Sequence, residues 1–253
     1  MKQGRSANFA ASICLTLLLA GCAASTVPPD PPAPMVPDAQ VAGESFRKAM
    51  ALSREGRIAE AASWYKQAAE NGHSQAQFVL GTMYRTGRGV QQDFGTAAQW
   101  YRRASLTGNA WAQFTLGTMH IRGEGVPQDP NEGARLYRMA AEQGHREAQY
   151  NLGALYYNGD GIARDYVEAE QWFSKAAMQG DSSSQFALGR MYSTPHNGIR
   201  LDRVRAHAWY SLAADNGHPK AAAAADRLKS DMSAAERASS RALARRFAAE
   251  IDR

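Results

Sequence analysis

Hydrophobic and polar positions repeat along this chain at a fixed interval. A stretch that reads small residue, glutamine, aromatic, free position, leucine and glycine occurs four times, as Ala76–Gly81, Ala112–Gly117, Ala148–Gly153 and Ser184–Gly189. The four glycines are 36 residues apart. A period of roughly 20 to 50 residues is typical of stacked repeats, so the pattern predicts a repeat array.

Each period contains two segments with apolar residues at helical spacing. In the second unit they predict helix A over 74–85 and helix B over 93–107. A first hairpin over 41–56 and 58–71 has only a short turn between its helices. The predicted fold is therefore all-α, a solenoid of about five helical hairpins over 41–217, followed by a C-terminal capping helix.

Glycine and aspartate positions predict where these helices end and begin. Glycine stands where a helix C-cap favours the left-handed conformation, at Gly87, Gly123 and Gly159. Aspartate stands at the expected N-cap of each later helix B, at Asp93, Asp129, Asp165 and Asp202.

The glycine inside each helix A needs a separate reason, because a mid-helix glycine costs about 1 kcal/mol relative to alanine. Its recurrence indicates that a neighbouring helix approaches too closely for a β-carbon. Helix B carries a large residue followed by an aromatic, as in Trp100–Tyr101 and Trp172–Phe173. We expect the tryptophan to lie opposite the glycine.

The whole pattern, Ala…Leu-Gly…Tyr…Gly-x-Gly-Val…Asp…Ala…Trp-Tyr…Ala-Ala…Gly, resembles the Sel-1-like repeat (SLR), a relative of the tetratricopeptide repeat. The resemblance covers about residues 73–217. It implies an α-α superhelical solenoid that acts as an adaptor or scaffold, without implying a particular partner. The chain departs from the pattern in the loop 193–199, which lacks the first glycine and has one additional residue, and it has no cysteine pairs between hairpins.

Residues 218–253 are expected to form the C-terminal capping helices. Ser233 and Glu236 have the spacing of a capping box that opens the final helix. Arg237, Arg241 and Arg245 follow at intervals of four, which predicts a polar outer face for the end of the array. A solvated face is the preferred interpretation, with acidic lipid or a partner as the alternatives.

The N-terminus predicts a lipoprotein. Basic residues precede a short apolar run that ends in Leu19-Ala20-Gly21-Cys22, which resembles a bacterial lipobox. The resemblance implies a signal peptide over 1–21 and lipidation of Cys22. Residues 22–40, rich in proline, are expected to form an extended tether. Ala23, rather than aspartate, after the cysteine implies sorting to the outer membrane, and we expect the periplasmic face. A plain secretory signal is the alternative.

Composition and candidate chemistry argue against catalysis. The net charge of +5 is too small to indicate nucleic-acid binding. His73, His145 and His218 share one repeat position, so a solenoid aligns them without converging them into a metal site. Ser63 and Lys66 match the Ser-x-x-Lys motif of penicillin-recognising enzymes, but its companion motifs are absent. We expect no catalytic residue, metal or cofactor.

The positions that vary between repeats suggest where a partner binds. They fall at i, i+4, i+7 and i+11 of helix A, which places them on one helix face that lines the concave groove in such superhelices. Simple solvent exposure is the competing explanation. The predicted groove residues are Gln75, Val79, Thr82, Trp111, Thr115, Thr118, Arg122, Glu147, Asn151, Ala154, Ser183, Ala187 and Arg190.

The sequence therefore favours an outer-membrane lipoprotein without enzymatic activity, whose helix-A surface binds a protein or peptide in the cell envelope. One alternative is an envelope hydrolase directed at β-lactams or peptidoglycan, with Ser63 as its nucleophile. Another is a scaffold that binds polysaccharide or peptidoglycan. Trp111 suits either a protein or a sugar, because tryptophan is a common interface anchor.

Overall fold

The computed structural model describes residues 38–196 and 198–252. The predicted signal peptide 1–21, Cys22 and most of the tether 22–40 lie outside the described residues. The described part contains no strand, so the all-α prediction is confirmed. Its helices are α1 (Ala39–Arg54), α2 (Ile58–Glu70), α3 (Ser74–Thr86), α4 (Phe94–Leu106), α5 (Ala110–Arg122), α6 (Pro130–Glu142), α7 (Arg146–Asn158), α8 (Tyr166–Ala177), α9 (Ser182–Ser193), α10 (Arg203–Asp215), α11 (Ala221–Ser230) and α12 (Ala234–Ile251).

Helices that follow one another in the chain pack against one another. The tightest pairs are α1 with α2, α3 with α4, α5 with α6, α7 with α8 and α9 with α10, and neighbouring hairpins meet through the intervening pairs. Contacts restricted to sequence neighbours define a solenoid. Five hairpins are present, as predicted, and α11 and α12 then pack on α10.

The helix ends follow the predicted capping chemistry. The carboxylate of Asp93 accepts the backbone N–H of Thr96, and Asp129, Asp165 and Asp202 cap their helices similarly. α1 begins at Ala39, inside the predicted tether and two residues before the expected start. The reason is that Asp38 accepts the N–H groups of Gln40 and Val41.

The glycine inside each helix A does face a bulky neighbour, but the predicted tryptophan is the wrong residue. A β-carbon on Gly153 would lie 2.8 Å from Cδ1 of Phe173, and one on Gly81 would lie 3.0 Å from Cδ1 of Tyr101. The aromatic after the tryptophan therefore fills the hairpin. Trp100 instead packs among residues of α1, α2 and α3, where it joins its hairpin to the preceding one.

The second glycine of each loop forms another contact between repeats. It has a positive φ and rests on the start of the previous helix B. A β-carbon on Gly89 would lie 2.8 Å from Cγ2 of Ile58, and one on Gly161 would lie 2.5 Å from Cβ of Pro130. Each loop thus covers the first turn of helix B in the preceding repeat.

The divergent last loop keeps this packing by other means. α9 ends without a left-handed glycine, because Thr194 is extended. A bridge between His196 and Ile199 then closes the turn. Ile199 is buried in the core beside Trp209, so the apolar loop position is retained.

A row of buried glutamines joins successive units. The Nε2 groups of Gln77, Gln113, Gln149 and Gln185 donate to carbonyls at the end of the preceding helix B. The Oε1 atoms of the last three accept from Gln143, Gln179 and Asn216, at 2.6, 2.7 and 2.9 Å. Gln77 is the exception, because its buried Oε1 has no hydrogen-bond partner.

α12 closes the C-terminal end of the array. Its predicted capping box between Ser233 and Glu236 is present. Phe247 stacks on Trp209 with ring centroids 4.1 Å apart. Among the described residues, no helix has the length and apolar character that crossing a membrane requires.

Candidate partner-binding groove

The predicted groove residues lie on α3, α5, α7 and α9, and part of the set lines one open cleft. The cleft has a volume of about 450 Å³. Five predicted residues line it, from the helix A of two successive repeats (α5 and α7), namely Thr115, Thr118, Arg122, Asn151 and Ala154. We call this cleft the groove.

A smaller cleft continues the groove toward the next repeat. Its volume is about 120 Å³, and it shares Ala154 and Asn158 with the groove. It adds two predicted residues to those of the groove, Ala187 and Arg190 of α9. Seven of the thirteen predicted residues, from three successive repeats, therefore lie along one continuous depression.

The other predicted residues lie outside these two clefts. Val79 packs against the core of the first hairpins. Glu147 is exposed, with its carboxylate 3.5 Å from the guanidinium of Arg146. The remaining members of this set are Gln75, Thr82, Trp111 and Ser183.

Two of the threonines have structural partners inside the hairpin. Thr82 donates to the carbonyl of Phe78 and accepts from the hydroxyl of Tyr101 at 3.0 Å. The Thr118 hydroxyl is likewise 3.0 Å from that of Tyr137. In the next unit alanine replaces the threonine and Phe173 replaces the tyrosine, so both hydroxyls are absent there. In the last unit the tyrosine is kept, and its hydroxyl lies 3.2 Å from that of Ser193. Variation at this position thus partly reflects packing within the hairpin.

Trp111 is the one aromatic residue of the predicted set, and 54% of its surface is accessible. Its ring meets that of His145 edge-on, with centroids 4.3 Å apart, and His145 stacks in turn on Phe114. Phe114 lines the groove. Trp111 is thus connected through His145 to one wall of the groove.

Two of the three repeat-position histidines, His73 and His145, are the N-caps of α3 and α7, whereas His218 accepts the N–H of Lys220, the N-cap residue of α11, at 3.4 Å. The Nδ1 atoms of His73 and His145 accept the backbone N–H of the third residue following. His73 and His218 stack on Phe46 and Phe186 respectively. Burial lowers the pKa of each of these histidines, which keeps the imidazole neutral and able to accept.

Charged groups of both signs border the groove. Arg122 pairs with Glu124 at 3.4 Å, and both side chains remain substantially exposed. An exposed pair contributes about 0–1 kcal/mol, so a partner can replace it at little cost. The Nδ2 group of Asn158 donates to the carboxylate of Asp160, two residues further along the chain, at 2.9 Å. The groove therefore offers donors and acceptors above an apolar floor.

Arg85, Tyr157 and Asp160 were missed by the sequence prediction. Arg85 and Asp160 line the groove, and Tyr157 lines the smaller cleft. A signal was present, because position 85 reads Arg, Ile and Tyr in successive units, at Arg85, Ile121 and Tyr157. This position lies one residue before the last of the four variable positions of helix A.

The two residues of the alternative enzymatic motif lie on the surface of α2. Ser63 is exposed on α2, and the ammonium group of Lys66 lies 3.8 Å from the carboxylate of Glu70. Within residues 38–252, Asn197 excepted, no three histidine, cysteine or acidic side chains converge as metal ligands would.

The fold and groove define a class of protein, the solenoid built from α-helical hairpin repeats. The model of the Sel1 repeat matches residues 58–73, 74–109, 112–145, 146–181 and 182–218. The chain therefore belongs to the Sel1 repeat family. Comparison with curated proteins gives no match.

Solved structures that are similar to this chain include the following two. A protective antigen of uropathogenic Escherichia coli with an SLR fold is 31% identical, with a TM-score of 0.67 over 84% of this chain and 45% of the antigen. The chain thus spans less than half of that antigen. A Sel1 repeat protein from Oxalobacter formigenes is 32% identical, with a TM-score of 0.64 over 70% of each chain. Proteins of this family are usually scaffolds for protein interaction and are generally not enzymes.

Proposed function

We propose that this protein is a lipid-anchored scaffold of the bacterial envelope, held at the periplasmic face of the outer membrane through Cys22, and that its groove binds a protein or peptide. The observation that carries the proposal is the continuous depression along α5, α7 and α9. Seven residues at repeat-variable positions line it, together with repeat-constant aromatic residues of the hairpins such as Phe114 and Phe173.

The chemistry of the groove favours an extended peptide. Asn151 and Asn158 each offer an amide that both donates and accepts, as a peptide backbone does. Phe114 and Leu155 give an apolar floor. Arg122 at the rim supplies a further donor. A peptide that lies across the groove would contact these amide, apolar and guanidinium groups one after another.

The test is crosslinking in intact cells, followed by identification of the captured proteins. The double substitution Arg122→Ala and Asn151→Ala should lower recovery of the partner by about tenfold, because two hydrogen-bonding groups are removed. Arg102→Ala is the matched control, since Arg102 is exposed on α4 and lies outside both clefts. Equal recovery from a folded double variant would refute the groove.

Three further experiments test the lipid anchor and the two alternative functions. Cys22→Ala should release the chain from the membrane fraction, and retention there would contradict the lipid anchor. Binding to isolated peptidoglycan that is lost in Trp111→Ala would identify a glycan scaffold instead. Hydrolysis of a β-lactam that is abolished by Ser63→Ala would identify the enzymatic alternative.

A further inference from the structure

A third cleft lies at the C-terminal end of the array, where α10, α11 and α12 meet. Its volume is about 290 Å³. Two positions of the arginine stripe of α12, Arg237 and Arg241, line it together with Lys229 of α11. The third arginine of the stripe, Arg245, is not part of the lining. The fold therefore gathers cations from two helices that the sequence alone did not connect.

These three cations are available for a ligand. The neighbouring salt bridges join other residues, Arg205 with Asp202 and Arg246 with Glu250. No carboxylate of the described residues lies within salt-bridge distance of Lys229, Arg237 or Arg241. Two acidic residues, Asp215 and Asp226, also line the cleft. The cations outnumber them, and none of the five is neutralised by a close partner.

A buried imidazole forms part of the same lining. His207 of α10 is 8% exposed, and its Nδ1 lies 2.8 Å from the hydroxyl of Ser240 and 3.3 Å from that of Ser211. Ser240 is fully buried, so α12 holds the ring in place. No protein group within hydrogen-bond distance occupies Nε2, among the described residues. Ser211 also lines the cleft and adds a hydroxyl.

We infer that this cleft between α10, α11 and α12 binds a phosphate group, through Lys229, Arg237 and Arg241 with His207 and Ser211 beside them. Guanidinium groups present parallel N–H donors that match the oxygens of a tetrahedral dianion. The cleft is independent of the groove, because it shares no lining residue with it. The phosphate can be free in solution or part of a lipid headgroup.

The charges around His207 set the expected pH dependence. Burial is the largest cause of the lowered pKa of His207. The positive charges of Lys229 and Arg241 lower this pKa further, whereas the carboxylate of Asp226 raises it. Asp215 on α10 and Arg237 on α12 also face the cleft. The imidazole is thus neutral at neutral pH. A bound dianion stabilises its protonated form, so affinity should rise as the pH falls.

The experiment titrates the full chain with inorganic phosphate and, for the pH series, with sulfate, whose charge is constant between about pH 5 and 8. Binding is followed by calorimetry and by the NMR signal of His207. The substitutions Lys229→Gln and Arg241→Gln together should weaken binding by at least about tenfold. Arg245→Gln, which removes the same charge from the same helix outside the cleft, should change it less than about twofold.

A vesicle arm distinguishes the two sources of phosphate. The same variants are floated with phosphatidylcholine vesicles with or without phosphatidic acid, and every variant carries the same N-terminus. Titration with soluble phosphate that depends on Lys229 and Arg241 identifies a free ligand. Flotation that depends on these residues, with no response to soluble phosphate, identifies a lipid headgroup. No binding in either arm, or equal loss in Arg245→Gln, would overturn the inference.

Discussion

The histidine at the start of α7 makes the stability of the protein depend on pH. His145 accepts the N–H of Ala148 through Nδ1, which requires that this nitrogen carry no proton. Glu147, 3.4 Å from the same atom, favours the charged ring, but burial dominates and the pKa is lowered. The capping interaction is therefore made by the neutral form.

Substituting His145 by asparagine should remove this pH dependence without removing the cap. The unfolded chain binds the proton near pH 6.5 and the folded chain only at lower pH, so stability is complete above that value and falls as the pH falls. Asn109 caps the preceding helix A in this way. In urea unfolding, His145→Asn should lose less stability than the wild type between pH 7.5 and pH 5.

His145→Ala is the comparison variant. It should lower the free energy of unfolding by about 1 kcal/mol at pH 7.5, because the cap is lost. The other histidines with lowered pKa values, His73, His196, His207 and His218, leave a residual slope in every variant. An unchanged slope in His145→Asn would show that His145 is not a source of the dependence.

Pairs of helices are joined by the row of buried glutamines. One hydrogen bond of the row is missing, at Gln77, and its absence has a simple cause. Residues 107, 143 and 179 are equivalent by the repeat period. Gln143 and Gln179 reach the glutamine of the preceding helix A, but Thr107 is too short and bonds to Ser74 and its own helix. The Oε1 atom of Gln77 is left buried without a partner.

Substituting Thr107 by glutamine should close this gap. A new hydrogen bond to a buried acceptor should raise the free energy of unfolding by about 1 kcal/mol in chemical denaturation. Thr107→Glu is the control, because a carboxylate of similar size cannot donate and should give no gain. The reverse change, Gln143→Thr, should cost about 1–3 kcal/mol by leaving Gln113 unpartnered.

Helix boundaries were predictable from the sequence because capping chemistry is local. Asp93 and Gly87 act on backbone groups within a few residues, and both predictions are confirmed. The partner of Gly81 was not predictable in the same way. Trp100 and Tyr101 are adjacent, so they point in directions about 100° apart on one helix. Which of the two faces α3 depends on the rotation of α4, which packing determines.

The groove was predictable in part for the same reason. Helical spacing placed Thr115, Arg122 and Asn151 on one surface, and the structure brings them into one cleft. Arg85 and Asp160 belong to the preceding helix A and to a following loop, so the stacking of repeats brings them in. No spacing within one helix indicates that arrangement.

Across the entire array, stability should spread only between neighbouring repeats. The C-terminal end depends on α12, whose Phe247 stacks on Trp209. In a solenoid each unit contacts only the adjacent units, so weakening this end should loosen the last hairpins first. The first hairpins, which have a core of their own, should be little affected.

Phe247→Ala tests this expectation. The half-buried ring contributes less than a core phenylalanine, so the loss should be about 2 kcal/mol. Hydrogen exchange should accelerate in α9, α10 and α12 and remain slow in α2 and α3. Arg245→Ala, on the exposed side of the same helix, should leave exchange unchanged. Uniform acceleration along the chain would indicate a single cooperative unit instead.

The contact between each loop glycine and the preceding helix B bears on how this chain can be recombined. Because Gly125 rests on Phe94 and Gly161 on Pro130, no sequence period completes its own packing. A chimera joined at the period boundary would expose the apolar first turn of one helix B to solvent. It would also leave one loop glycine with no helix to pack against. Joints placed after the loop, between Gly161 and Asp165 for example, would transfer each helix start together with its cover.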